Sequence, residues 1–312
     1  MTTVKLLETY KKTIHLSADF SINTIDDIAL IAQKHFQKYP FTTLSIHLNH
    51  SITLTPEALL TRLMEQGYGL CYHHNAAFYL LLNALNVPTV FIATRVRKPG
   101  QHDQFFSRES HIGLLISFEG KSYLFDPGFG GTCHYPIPLE DTADKDCWYK
   151  VKPYDQQGYW GTFLERRQGH YIPLYDFKRD ASLLHTWADA YAYVAAPEYP
   201  FWTAMLYSQT AANGNIYYLV SIVDNTNTLF VFSPQGEVLK KITSKEPIFS
   251  LLENNLCIPQ SIKSAIAQET FANENMGHWL RRQEKIQQNA AELLTQKTNE
   301  ETTLKHAAPT PY

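Results

Sequence analysis

Cysteines, long apolar runs and an excess of charge of either sign are all scarce in this chain of 312 residues. Four scattered cysteines are too few for the disulfide framework of a small secreted protein, so a reducing, cytoplasmic location is expected. The N-terminal residues lack the apolar core of a signal peptide, and no run approaches the roughly 20 apolar residues of a membrane helix. The cysteines are Cys71, Cys133, Cys147 and Cys257.

The charge balance argues against a nucleic acid as a partner. The formal net charge is -3 and the isoelectric point is near 6.5. Proteins that bind the phosphate backbone usually carry a strong basic surplus, so no nucleic acid is expected as a partner. No membrane is expected as a partner either, because the sequence has no run long and apolar enough to span one. Hydrophobic residues make up 44% and charged residues 18% of the chain, which is typical of a globular protein.

The first third of the sequence predicts helices. Thr24 can cap one helix with a single apolar stripe. Thr55 as a cap, with Pro56 at the first helical position, begins another helix, which stops at Gly67. A third helix starts at Cys71.

The middle third predicts strands, including a hairpin. Residues 110–118 and 121–126 are predicted to pair across a two-residue turn. In that register Asp126 lies opposite Gly113, and His111 lies on the same face as Asp126, about 7–8 Å away at the backbone. A slip of one residue would put the two side chains on opposite faces.

The arrangement of Cys71, His111 and Asp126 predicts a thiol nucleophile, a base and a group that orients the base. The thiolate is the reactive form of Cys71, and both the helix N-terminus and an imidazolium at His111 would favour it. Asp126 would hold the imidazole tautomer, and the first amides of the helix would stabilise an oxyanion. Spacing alone leaves an alternative, in which Cys71 is a small buried hydrophobe and His111 an ordinary strand residue.

The run Gly69-Leu70-Cys71 with Asn75, followed by His111 and Asp126-Pro-Gly-Phe-Gly130, resembles the arylamine N-acetyltransferase family. In that family the cysteine lies in Arg-Gly-Gly-x-Cys-x-x-x-Asn and the aspartate in Asp-x-Gly-Phe-Gly. Weaker similarity extends over roughly residues 15 to 260.

The resemblance implies an α+β fold with an N-terminal helical bundle, a central β-barrel and a C-terminal α/β lid, around a core like that of cysteine proteases. The bundle would span 1–87 and carry the cysteine, and the barrel would span 88–180 and carry the histidine and the aspartate. The lid would span 181–269. Residues 270–312 are expected to form a polar helix and a tail.

The resemblance also implies a reaction. Cys71 would take an acetyl or other acyl group from acetyl-CoA and pass it to an arylamine, a hydrazine or a related amine. His111 would shuttle the proton and Asp126 would orient it. No metal is expected, because the histidines beside Cys71 lack a second pair of ligands at metal-binding spacing. The residues expected to contact acetyl-CoA are Gly128, Phe129, Gly130 and Gly131, and those expected to contact the amine are Tyr68 and Phe129.

The sequence departs from the family at several positions around the cysteine. The family's Arg and first Gly are Gly67 and Tyr68 here, and the Glu and Asn of its Pro-Phe-Glu-Asn-Leu segment are Thr42 and Thr43. Those family residues help to fix the cysteine loop, so a different set of supports is predicted in this chain. Departures at positions where the family contacts coenzyme A are Pro127 and Tyr199.

Two other function classes stay open from the sequence. The same triad would serve an amide synthase, a thioesterase, or a transglutaminase-like or protease-like enzyme that acts on protein. A relative that has lost the chemistry would instead bind a small aromatic ligand or a partner protein. The polar C-terminus would also suit export to a host cell, although an ordinary solvated tail is the simpler interpretation.

Overall fold

The computed structural model describes residues 2–47, 52–98, 104–131, 133–139, 149–153, 159–166, 170–179, 185–196, 199, 205–221, 227–233 and 238–245, together with residues 251, 254, 259, 260 and 262. All of them belong to one compact unit, Met1–Ser264. The polar helix and tail expected over 270–312 lie outside the described residues. None of the described helices is both long enough and apolar enough to cross a bilayer.

The helices follow the signals in the sequence. Thr55 accepts a hydrogen bond from the backbone N–H of Ala58, Pro56 occupies the first turn, and Gly67 ends the helix with a φ of 79°. Glycine adopts that left-handed conformation more readily than any other residue, so Gly67 is a suitable end for the helix. The helices are α1 (Thr3–Thr13), α2 (Ile25–Lys38), α3 (Leu44–His47), α4 (Pro56–Gln66), α5 (Cys71–Ala84) and α6 (His185–Val194).

In the parts of the chain that the structure describes, the strands lie in two sheets. Seven of these strands form a nearly closed barrel in the order β5-β4-β3-β2-β8-β7-β6, and the other five form a second sheet in the order β1-β9-β10-β11-β12. The strands are β1 (Phe41–Thr42), β2 (Thr89–Val96), β3 (His111–Phe118), β4 (Lys121–Phe125), β5 (Ile137–Pro138), β6 (Tyr149–Pro153), β7 (Trp160–Arg166), β8 (His170–Phe177), β9 (Met205–Thr210), β10 (Ile216–Ser221), β11 (Asn227–Phe232) and β12 (Val238–Ser244).

The predicted hairpin is confirmed with its register. β3 and β4 pair with Phe118 opposite Lys121 and with Leu114 opposite Phe125. The next position on each strand places Asp126 against Gly113, where an added Cβ would lie 3.3 Å from Asp126 Oδ2. The barrel therefore presents the histidine and the aspartate on one face.

The short strand β1 was not expected from the sequence. It pairs with β9, with Phe41 opposite Ser208 and Thr42 opposite Tyr207. Two residues cannot show the alternation by which a strand is recognised in a sequence. The N-terminal part of the chain thus supplies an edge strand to the C-terminal sheet.

Helix α5 is buried in the core of the described unit. Every residue from Cys71 to Phe78 is buried, and the helix packs against α4 as well as against β2 and β3. A helix that is buried on all sides holds its side chains in one arrangement. Its first turn, which carries Cys71, therefore has a fixed position relative to the barrel.

Candidate active site

Cys71 is the first residue of α5, and 3% of its surface is exposed. It forms no disulfide. The first amides of a helix lack intrahelical acceptors and carry a partial positive charge. This position therefore suits a negatively charged sulfur or an oxyanion bound next to it.

The structure brings Cys71, His111 and Asp126 together. His111 Nε2 lies 2.7 Å from Asp126 Oδ2, and about 5% and 4% of the two side chains is exposed. A carboxylate can only accept, so Nε2 carries a proton and donates it. The Cys71 side chain lies close enough to the imidazole to interact with it electrostatically. One ring thus lies near both the thiol and the carboxylate.

The electrostatics of the site favour a charged imidazole. Burial acts against the charge, but the negative charges of Asp126 and Cys71 and the hydrogen bonds to both residues outweigh it and raise the pKa of His111 to about 10. The ring is therefore protonated at neutral pH beside the sulfur. A thiolate and imidazolium pair is the activated form of a cysteine nucleophile.

Asn75 is a site residue whose role was missed in the sequence, although it was noted as part of the cysteine motif. Its Nδ2 donates to Asp126 Oδ1 at 2.9 Å and to the carbonyl oxygen of Ile112 at 2.5 Å, and its Oδ1 accepts from the N–H of Gly128 at 3.0 Å. It lies one helical turn after Cys71, so α5 carries both the nucleophile and a support for the aspartate. That spacing was the available signal.

The loop after Asp126 places Phe129 next to the triad. The Phe129 ring lies 5.1 Å from the His111 ring, edge to face, and 4.9 Å from the Tyr175 ring. Gly128 lies against Asn75, where an added Cβ would come within 2.6 Å of Nδ2. These two of the expected contact residues therefore adjoin the site.

Gly130, Gly131 and Tyr68, which were also expected to contact acetyl-CoA or the amine, pack against residues outside the triad. Gly130 faces the Tyr218 ring and Gly131 faces Phe36. Tyr68 is buried, with 3% of its surface exposed. Burial raises its pKa, while the charge of Arg62 lowers it to a smaller extent. Within the described part of the chain, none of these three residues forms a hydrogen bond with the triad.

Three phenols interact electrostatically with Cys71, and only Tyr199 was singled out in the sequence, as a departure from the family. Burial, with the charge of Cys71, raises the pKa of Tyr191 to about 12 and that of Tyr72 well above its usual value. Burial also raises the pKa of Tyr199, although its hydrogen bond with Ser110 acts in the opposite direction. These three phenols are therefore neutral at physiological pH.

The comparisons with known proteins point to one family. The N-acetyltransferase family matches residues 24–256. A probable arylamine N-acetyltransferase 2 of Dictyostelium discoideum is 27% identical over 182 residues, which are 55% of this chain and 58% of that one. The chain spans about half of the length of the curated relatives that it matches.

Solved structures show the same fold. An arylamine N-acetyltransferase of Mycobacterium smegmatis superposes with a TM-score of 0.69 at 20% identity, over 85% of this chain and 97% of that one. The arylamine N-acetyltransferase of Mycobacterium marinum in complex with CoA gives a TM-score of 0.64 at 20% identity, over 88% and 94%. The chain belongs to the arylamine N-acetyltransferase family, and the expected α+β architecture is confirmed.

Proposed function

We propose that this protein transfers an acetyl group from acetyl-CoA, through a thioester on Cys71, to an arylamine, a hydrazine or a related amine. The observation that carries the proposal is the buried ring of His111, which forms a hydrogen bond with Asp126 and interacts electrostatically with Cys71. A histidine in that place can take a proton from the thiol and return it later.

In the first half-reaction the Cys71 thiolate attacks the thioester carbonyl. The carbon–sulfur bond to Cys71 forms, a tetrahedral oxyanion develops, and the first amides of α5 are placed to stabilise it. When the oxyanion collapses, the bond to the sulfur of coenzyme A breaks. His111 gives its proton to that leaving thiolate, which departs as a thiol.

In the second half-reaction the neutral His111 accepts a proton from the attacking amine. The new carbon–nitrogen bond forms as the carbon–sulfur bond to Cys71 breaks, so the products are an amide and the original thiolate and imidazolium pair. Asp126 stabilises the imidazolium that is present before the first half-reaction and formed again by the second.

The surroundings of the site support this choice of substrates. Phe129 and Tyr175 lie at the His111 ring, and flat aromatic amines stack well on such surfaces. The fold is shared with an enzyme that was solved with CoA. Gly128 and Phe129, at the start of the loop after the aspartate, are the residues of this chain proposed to meet the donor.

The direct test is the intact mass of the protein after incubation with acetyl-CoA. Wild type should gain one acetyl group and Cys71→Ala should gain none. Cys133→Ala is the matched control, because it removes a second free cysteine outside the triad. Its mass should increase like that of wild type. An unmodified wild type would exclude acetyl-CoA as the donor.

A further inference from the structure

The segment that leads into α5 is anchored at Gly69, two residues before Cys71. The N–H of Gly69 donates to Pro40 O at 3.2 Å, and Gly69 O accepts from the N–H of Thr42 at 2.9 Å. A third bond reaches the same carbonyl oxygen, because His74 Nε2 lies 3.0 Å from it. The hydrogen bonds to this carbonyl therefore fix the backbone just before Cys71, and with it the position of the sulfur.

His74 is the last member of a chain of hydrogen bonds that begins far away in the sequence. His74 Nδ1 lies 2.7 Å from His35 Nε2, and His35 Nδ1 lies 2.5 Å from Tyr10 Oη. We call these three side chains the Tyr10–His35–His74 relay. It joins α1, α2 and α5, and it ends on the carbonyl of Gly69.

The direction of every bond in the relay follows from its final acceptor. A carbonyl oxygen can only accept, so His74 Nε2 donates to Gly69 O and His74 Nδ1 is an acceptor. His35 Nε2 must then donate to His74, which leaves His35 Nδ1 as the acceptor for the Tyr10 hydroxyl. One arrangement of protons satisfies all three side chains. A polar network of this kind selects one geometry of the backbone that it holds.

The surroundings fix the two imidazoles as neutral rings. Both histidines are fully buried. Burial lowers the pKa of His35 well below its usual range, and the charge of His74 acts in the same direction. Burial also lowers the pKa of His74 to about 3, helped by His73 and only partly opposed by its backbone hydrogen bonds. The His35 ring packs against the Phe78 ring at 4.7 Å.

We propose that Tyr10, His35 and His74 are positioning residues for the reaction, which act on Cys71 through the carbonyl of Gly69. The proposal rests on the proposed function, since it takes Cys71 to be the nucleophile. The relay holds the carbonyl from the side of α1 and α2, while β1 holds it through Thr42. Loss of the relay should move the sulfur away from His111 without removing a group that touches the substrate.

The experiment compares two buried tyrosines whose rings stack on each other, Tyr10 and Tyr39. Tyr10→Phe removes the first donor of the relay. Tyr39→Phe is the control: its ring stacks on that of Tyr10 at 6.2 Å, but its hydroxyl donates to Thr13 Oγ1, outside the relay. A second pair tests the end of the relay. His74→Gln keeps an N–H that can reach Gly69 O, and His74→Leu does not.

The first readout is the rate at which iodoacetamide alkylates Cys71 at about pH 6, which needs no acyl donor. Tyr10→Phe should slow it by about three- to tenfold, the value of one buried hydrogen bond, and Tyr39→Phe should not. His74→Leu should slow it by about 10- to 100-fold, and His74→Gln should recover most of the rate. In turnover the same changes should appear in kcat, with KM for acetyl-CoA unchanged.

All four variants are measured well below their unfolding temperatures. A lower rate then reports a displaced Cys71 sulfur and not an unfolded protein. Ring nitrogen NMR of His35 and His74 in wild type should show neutral rings protonated at Nε2. Equal alkylation rates for Tyr10→Phe and Tyr39→Phe, or no recovery in His74→Gln, would overturn the relay's role while leaving the proposed function intact. A wild-type Cys71 no more reactive than the other cysteines would overturn both.

Discussion

Asn75 holds Asp126 by the carboxylate oxygen that His111 leaves unused. Asn75 Nδ2 lies 2.9 Å from Oδ1, whereas His111 Nε2 lies 2.7 Å from Oδ2. With both oxygens bound, the carboxylate cannot rotate away from the imidazole. The asparagine and the nucleophile share α5, so one rigid element sets the distance between the two ends of the triad.

Asn75→Ala should therefore lower kcat by about 10- to 100-fold, because Asp126 loses a fixed orientation. Asn83→Ala is a suitable control: Asn83 lies on the same helix and bonds to the backbone of Thr89 at 3.1 and 3.2 Å, away from the site. Both variants should lose stability on urea unfolding, but only the first should lose activity. Equal activity in the two would contradict the role given to Asn75.

Two glycines near Asp126 should tolerate a methyl group differently. In Gly128→Ala the new Cβ would lie 2.6 Å from Asn75 Nδ2, so the asparagine must move and kcat should fall by about 100-fold. In Gly113→Ala the Cβ would lie 3.3 Å from Asp126 Oδ2, a contact that a small shift relieves. A tenfold or smaller loss is expected there. Steady-state kinetics of both variants provides the test, and a reversed order would refute it.

Asp126→Asn should affect activity and also the pH dependence of stability. Catalysis should fall by about 10³- to 10⁴-fold, because the imidazolium loses its counter-charge. The pKa of His111 is raised to about 10 in the folded state. The stability from this pair is therefore complete below about pH 6.5 and is lost as the pH rises through about 10.

The measurement is the difference in unfolding free energy between wild type and Asp126→Asn, taken from about pH 6 to about pH 10. That difference should shrink with rising pH. Asp27→Asn is the control. Hydrogen bonds from the backbone of Asn23 and Thr24 lower the pKa of Asp27, so its contribution is already complete in this range. Its difference from wild type should stay constant.

Stability should also fall in mild acid, because α5 buries neutral histidines. Burial, with the charge of Arg62, lowers the pKa of His73 to about 3. Below about pH 6.5 the histidine binds a proton in the unfolded chain but stays neutral in the folded chain. Its contribution to the free energy of unfolding is therefore complete above that pH, and it is lost as the pH decreases towards 3. Each such histidine contributes a slope of up to ~1.4 kcal/mol per pH unit.

His73→Asn should flatten that slope. The asparagine oxygen can accept the hydrogen bond that His73 Nδ1 takes from the N–H of Leu70, at 3.1 Å. Urea unfolding between about pH 7 and about pH 5 should show the shallower dependence. An unchanged slope would mean that His73 does not set the acid sensitivity.

The hairpin and the helix limits could be predicted because their signals are local. Glu119 and Gly120 both have positive φ, 49° and 74°, as a tight two-residue turn requires, and such a turn fixes the register that brings His111 to Asp126. Thr55 and Gly67 mark the ends of α4 in the same way. The hairpin turn and the ends of α4 each depend on residues that are close together in the sequence.

The relay and the strand β1 could not be predicted because their partners are distant in sequence. His35 falls on the apolar stripe of α2, where it is most simply interpreted as a core residue. Its partners, Tyr10 and His74, are 25 and 39 residues away. Thr42 pairs with Tyr207, which no local pattern indicates. The triad could be proposed from the sequence, but its supports depend on tertiary packing.

The pairing of β1 with β9 joins an N-terminal segment and a C-terminal segment of the folded unit in one sheet. If the chain were expressed as two fragments, divided between β8 and α6, the second fragment would expose β9 as an open edge prone to aggregation. Addition of the first fragment would seal that edge. Because β1 also holds Gly69, the same event would set Cys71 in place, so recovered activity would report reassembly of the sheet.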